Sequence, residues 1–269
     1  MKKFYFMLLT LFVLVTSVQV TTVDAATTDT NWLNTSKLTE GVISIQYEVP
    51  ANKRTKLMIT KDNSSYTYNL FSSNQSEVFP LQQGNGSYKV SVLENTTGNK
   101  YKVVYSDVVD LSLSNTNIVY LNSVQNIKWN SSDKAIQKAQ QLTQGITTDE
   151  EKVKAIYNYI VKNVQYDYKL AGSVSTDYIP NINNTLSNKK GICYDYSSLF
   201  AAMLRSVDIP TKLVMGNTSY VSEYHAWNEV LLNGKWVTID TTVDAGLLKN
   251  KKTAELIKSS SKYTSAKFY

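Results

Sequence analysis

Apolar and polar positions alternate along residues 41–121. "GVISIQYEV" sets the period of two, and "TKLMIT", "SYTYNLF", "GSYKVSVLE", "KYKVVYSDVVDLSLS" and "NIVYL" continue it. The turn signals "DNSS", "GNGS" and "NTTGN" separate these runs. Short strands at about 8–12-residue spacing are the pattern of an all-β sandwich. The period changes near residue 131. "SSDKAIQKAQQLTQG" places Ala135, Ile136, Ala139 and Leu142 at helical steps, with Ser132 or Asp133 as cap and Gly145 as stop. "TTDEEKVKAIYNYIVKNV" makes a second helix, with Thr148 as its cap and a stripe of Val153, Ile156, Tyr157, Ile160 and Val164. Residues 166–188 are polar and Asn-rich and read as a long covering loop. "GICYDYSSLFAAMLRSV" returns to helical spacing, and "YHAWNEVLLNGKWVTIDTT" is two apolar runs joined by Asn-Gly, a hairpin signal.

The pattern predicts two domains, an immunoglobulin-like β-sandwich at 27–125 and an α+β domain at 131–269, with "NSVQNIKWNSS" as the boundary. Ahead of them stands a different pattern. "MKK" is followed by the short, strongly apolar run Phe4–Val15, and Val23 and Ala25 suit positions −3 and −1 of a cleavage site. This reads as a secretory signal peptide over 1–25. The alternative is an uncleaved anchor, since residues 4–23 carry no charge. Cutting 25 of the 269 residues leaves 244, enough for one large or two small domains. The expected location is secreted or extracellular.

Composition narrows the chemistry. The net charge of +6 falls to +5 once two lysines and one aspartate leave with the signal. Arg54 and Arg205 are the only arginines, and no basic run suggests a nucleic-acid partner. A basic surface suits an anionic cell wall, and it equally serves solubility. No membrane contact is expected after cleavage. The single cysteine cannot form an internal disulfide. One Cys and one His are too few soft ligands for zinc, and "KDNSS" lacks the spacing of a calcium loop. No metal or cofactor is expected.

The lone cysteine and the lone histidine carry the remaining signal. Cys193, Tyr196, Ser197, Phe200, Leu204 and Val207 share one helical face, with Cys193 at the helix start and Gly191 allowing the turn into it. Unpaired amides, the helix dipole and the neighbouring Lys189 and Lys190 favour a thiolate there. In the hairpin, a two-residue Asn233–Gly234 turn pairs Leu232 with Lys235. Extended along the strands, that register sets Trp227 opposite Asp240 and His225 opposite Thr242. His225 and Asp240 become diagonal neighbours on one face, about 6–8 Å apart at Cβ. A thiol, an imidazole and a carboxylate so placed make a Cys–His–Asp triad. Read singly, Cys193 is more often an inert core residue, and placed with the hairpin pair neither Cys193 as core nor His225 as a merely satisfied histidine is the favoured reading.

Over about residues 148–244 the chain resembles the transglutaminase-like superfamily of papain-like cysteine enzymes. The resemblance rests on "EEKVKAIYNYIVKNVQYD", "KKGICYDYSSLFAAMLRSVDIPTKLVMG" and "HAWNEVLLNGKWVTIDTTVD". It implies a papain-like α+β fold in which the cysteine helix packs on an antiparallel sheet. It also implies Cys193 as nucleophile, His225 as base and Asp240 as orienter of the base. Tyr166 is a candidate oxyanion donor by position. Two departures stand out: Asp208 where the family often has Gly, and "DTTVD" where it often has Pro and Trp. The resemblance implies protein or peptide substrates. Three functions fit it: acyl transfer from a glutamine side chain to an amine, hydrolysis by a peptidase or deamidase, and a non-catalytic surface module.

Overall fold

The computed structural model describes residues 32–71 and 75–269. The expected signal peptide at 1–25 lies outside the described residues. Before residue 112 the described elements are strands apart from one 3-10 turn at Leu38–Glu40: β1 Leu33–Asn34, β2 Val42–Ile45, β3 Thr55–Lys61, β4 Ser64–Leu70, β5 Glu77–Pro80, β6 Gly86–Asn95 and β7 Tyr101–Leu111. They form two antiparallel sheets, ordered β1-β2-β5 and β4-β3-β6-β7. The alternation along the sequence becomes two faces, as a period of two requires. Leu57 and Ile59, Tyr66 and Tyr68, and Tyr88, Val90 and Val92 are buried. The Tyr68 ring lies 4.9 Å from that of Phe79, joining one sheet to the other.

The second part contains α1 Lys134–Thr143, α2 Asp149–Asn163, β8 Gln165–Tyr166, α3 Tyr168–Ala171, α4 Ile182–Asn188, β9 Lys190–Gly191 and α5 Cys193–Arg205. β10 Thr211–Thr218, β11 Val221–Leu232, β12 Lys235–Ile239, α6 Thr241–Lys249 and β13 Tyr263–Phe268 follow. The last four strands make an antiparallel sheet ordered β12-β11-β10-β13. Helix α5 packs on it, and Asn228 donates from β11 to the Ser197 carbonyl at 3.0 Å. From Asp195 to Arg205 every residue of α5 is buried, because α1, α2 and α4 cover the sides that the sheet leaves free.

Three local expectations change, and the first is "NIVYL": Thr116–Leu121 is a 3-10 helix and not a strand, with Asn115 accepting the Asn117 amide at 3.0 Å. Residues 166–188 are not all loop. Asn181 accepts the Asn184 amide at 2.9 Å and starts α4, which buries Ile182 and Thr185. The hairpin's second strand stops at Ile239. Asp240 caps α6 by accepting the Val243 amide at 3.0 Å, so Thr242 is helical and does not pair with His225. Asp208, in contrast to the family's glycine, sits just after α5 with φ 66°. That is the left-handed region, which glycine suits and aspartate tolerates.

The segment 122–131 is a packed seam. Val124 and Ile127 are buried, and Gln125 donates to the Asn69 carbonyl and to Glu77, both at 2.7 Å. Asn126 donates to the Tyr194 hydroxyl at 2.7 Å and its carbonyl accepts from Ser198 at 2.9 Å. The two patterns meet in the chain at this segment, and it bonds to both parts in space. Arg205, in the last turn of α5, strengthens the same junction. Its guanidinium donates to the carbonyls of Asn122, Thr211 and Tyr269 at 2.6, 2.9 and 2.9 Å. Burial lowers its pKa to about 9, with Tyr120 opposing the shift.

Candidate active site

Helix α5 begins at Cys193 because its entry is held from three sides. Asp195 reaches back to accept the Ile192 amide at 2.8 Å, satisfying a donor at the helix start. The Tyr178 hydroxyl donates to the other oxygen of Asp195 at 2.6 Å. Burial raises the Asp195 carboxyl above its usual range, and those two donors oppose the rise. Gly191 serves this entry by close approach and not by a positive φ. A Cβ there would stand 2.5 Å from Cβ of Asp195. The parallel pair β8–β9 sets Tyr166 beside Gly191, next to the helix start. Lys190 is not a free charge at this end, since it pairs with Asp167 at 3.1 Å.

The hairpin register is as its turn dictates. Leu232 pairs with Lys235, Val230 with Val237 and Asn228 with Ile239. Asn233 and Gly234 both have positive φ, 50° and 73°, as a type I′ turn requires. Continuing past Ile239, the chain leaves Asp240 beside His225. Nε2 of His225 meets Oδ2 of Asp240 at 2.8 Å, with both residues buried. Nδ1 is then the nitrogen left for the thiol, and Cys193 is the second side-chain partner of the imidazole. The three predicted residues are therefore brought together.

Electrostatics match this arrangement. Burial alone lowers the His225 pKa. Hydrogen bonds to Asp240 and Cys193, and the negative charge of both, outweigh burial and raise it to about 10. An imidazolium between a carboxylate and a thiol is the favoured form at neutral pH. Trp227 stacks on the imidazole at 6.4 Å between centroids and 18° between planes. Pattern reasoning missed Tyr263. Its hydroxyl donates to Oδ2 of Asp240 at 3.0 Å, and its ring packs 4.9 Å from Trp227. No local signal marks it, because β13 reaches the site only by pairing with β10.

Cys193 and His225 open into a cavity of about 570 Å³, walled by Tyr166, Tyr168, Tyr220 and Tyr224. The last three are exposed. A cleft of about 410 Å³ between Phe71 and Ile179 is lined by neither the cysteine nor the histidine. Tyr166 lies near Cys193. Burial first, and the Cys193 charge second, raise its phenol to about 12, so it stays a donor across the neutral range. Among the described residues no group of three or more His, Cys, Asp or Glu could hold a metal ion.

The sequence profile of the transglutaminase-like superfamily matches residues 136–241, a span that contains all three residues. Human kyphoscoliosis peptidase is 31% identical over 117 residues, which are 40% of this chain and 18% of that protein. The mouse protein of the same name is 30% identical over the same length and shares. The matched region thus spans under a fifth of these curated relatives. A crystal structure of a candidate cysteine protease from Cytophaga hutchinsonii aligns over 75% of this chain and 71% of its own. Its sequence identity is 21% and its TM-score 0.42. The match to the transglutaminase-like superfamily thus falls on the part of this chain that carries Cys193, His225 and Asp240.

Proposed function

We propose that this protein is a secreted thiol enzyme that transfers acyl groups from protein or peptide amides through a Cys193 thioester. The observation that carries the reading is the buried His225–Asp240 pair at 2.8 Å, with Cys193 as the other partner of the imidazole in one open cavity. The thiolate of Cys193 attacks the amide carbonyl. The imidazolium of His225 then protonates the departing nitrogen, the carbon–nitrogen bond breaks, and a thioester and a free amine or ammonia result. An incoming amine gives its proton to His225 and takes the acyl group as the carbon–sulfur bond breaks, which returns the thiolate and the imidazolium. Asp240 holds the imidazole in the tautomer that leaves Nδ1 toward sulfur. Amides at the start of α5, and Tyr166, are placed to donate to the oxyanion.

Water completes the same cycle as hydrolysis. The exposed tyrosines at the cavity mouth leave a path for it, which favours a peptidase or deamidase as the second reading. In either case the strand-rich first part is proposed as an immunoglobulin-like spacer that presents the enzyme outside the cell, with the basic surface suited to an anionic wall. The deciding experiment supplies a glutamine-containing protein mixture and a labelled primary amine. Label incorporation that vanishes in Cys193→Ala establishes the transferase. Ammonia or new N-termini without label establish the hydrolase. No reaction of either kind would leave a non-catalytic module.

A further inference from the structure

The carboxylate of Asp240 is held by three donors from three elements. Oδ1 accepts the Val243 amide of α6 at 3.0 Å. Oδ2 accepts both His225 from β11, at 2.8 Å, and Tyr263 from β13, at 3.0 Å. The third contact depends on an unusually close approach of strands. β13 pairs with β10 through a register shift between Met215 and Gly216, with Thr218 opposite Tyr263. A Cβ on Gly216 would stand 2.1 Å from the Thr264 carbonyl and 3.0 Å from the Trp227 ring. Glycine at 216 thus lets β13 and Trp227 close together beneath the imidazole. The phenol is a donor here, because burial and then Asp240 push its ionisation far above the ordinary tyrosine range. Thr218 is its other hydrogen-bond partner and stabilises the phenol oxygen.

We propose that Tyr263 is a positioning residue of the site: by sharing Oδ2 of Asp240 with His225, it fixes the carboxylate and sets the pH at which the imidazole changes charge. A carboxylate oxygen that accepts two hydrogen bonds has less negative charge to offer each donor. Tyr263 therefore holds the His225 midpoint below the value Asp240 alone would give. This keeps the imidazolium a better acid toward a departing nitrogen. The other charged or titratable groups facing the pair are Cys193 from α5, Tyr157 from α2, and Asp244 of α6 with its partner Lys258. Asp244 is bonded to Tyr157 and Lys258, so neither of these replaces the phenol on Asp240. The role rests on the catalytic reading above, yet its test needs no turnover.

The chain has a single histidine, so imidazole NMR reports His225 without assignment. In the full chain, Tyr263→Phe keeps the ring against Trp227 and removes only the hydroxyl. Asp240 stays buried and bonded to Val243, so it does not swing away. The expected result is an upward move of the His225 midpoint by about 0.5–1 pH unit, the scale of one lost hydrogen bond. An unchanged or lower midpoint in a folded variant overturns the proposal. In an Asp240→Asn background the same substitution must produce no further move, and a persisting shift would place the effect elsewhere. If Tyr263→Phe fails to fold, the unaltered chain still decides. A slowly exchanging tyrosine hydroxyl proton must be visible and must sense the His225 titration, and its absence overturns the assignment. Missing acyl transfer and hydrolysis would defeat the enzymatic reading and leave the midpoint result standing.

Discussion

Replacing Arg205 by lysine keeps a long basic side chain and tests whether the geometry of the guanidinium matters. Arg205 donates to the carbonyls of Asn122, Thr211 and Tyr269, which lie on three different segments. It is 2% exposed, and these carbonyls are its hydrogen-bond partners. Lysine is one atom shorter in reach and carries a compact charge, so it can satisfy one carbonyl well and leaves two without a donor. Each bond from a charged donor is worth about 1.5–3 kcal/mol, which sets the loss at roughly 3–6 kcal/mol. The desolvation that lowers arginine to about 9 acts on the ammonium too, and carries it toward its neutral form. Neutralisation relieves part of the strain, so about 3–4 kcal/mol is expected. That is a large share of the roughly 5–15 kcal/mol that stabilises a domain. Urea denaturation at pH 7 measures it. Limited proteolysis gives a second reading: the wild-type 122–131 segment should resist cleavage, and Arg205→Lys should expose it. A loss below about 1 kcal/mol with the seam still protected would show that the three bonds do not hold the junction.

Asp240→Asn should lower activity by about 10³–10⁴-fold, because the imidazole remains while its tautomer and charge lose their support; unchanged turnover with the labelled amine would remove Asp240 from the mechanism. The His225 midpoint in that variant should fall from its wild-type value, since burial then opposes Cys193 without help from Asp240, and NMR reads it directly. His225 also couples folding to pH. Its folded pKa of about 10 exceeds the unfolded 6.5, so its contribution is full below pH 6.5, declines between 6.5 and about 10, and is gone above about 10. Denaturation midpoints measured from pH 6 to 10 in the wild type and in His225→Ala should converge as pH rises, and a constant difference would contradict the raised pKa. Asp208→Gly should raise stability by about 0.5 kcal/mol by relieving the left-handed backbone at φ 66°; a lower thermal midpoint would show that Asp208 holds the turn with its side chain.

What was legible in the sequence was what short-range physics determines. Asn233–Gly234 accepts positive φ at both positions, and side chains alternate with period two, so the hairpin register followed from local rules. That register brought His225 and Asp240 together before any tertiary contact was considered. The helix after Cys193, the Thr148 cap and the change of period near 131 were legible for the same reason. Elements whose stability comes from distant partners were not. Asp240 ends a strand and caps α6 because the sheet stops there, although "IDTTV" still suits a strand. The short α4 forms over Asn-rich sequence because Ile182 and Thr185 find a core to enter. Gly191 is required by the side chain of Asp195, which the helix turn folds back over it. Tyr263 reaches Asp240 only once β13 pairs with β10, a strand ending 45 positions before it at Thr218. The sequence by itself specified the thiol, the imidazole and the carboxylate, since those rest on residue type and local period. Tertiary structure alone decided what surrounds them, the phenol on Asp240 and the arginine that ties α5 to the seam, because both bridge segments that meet only when the core closes.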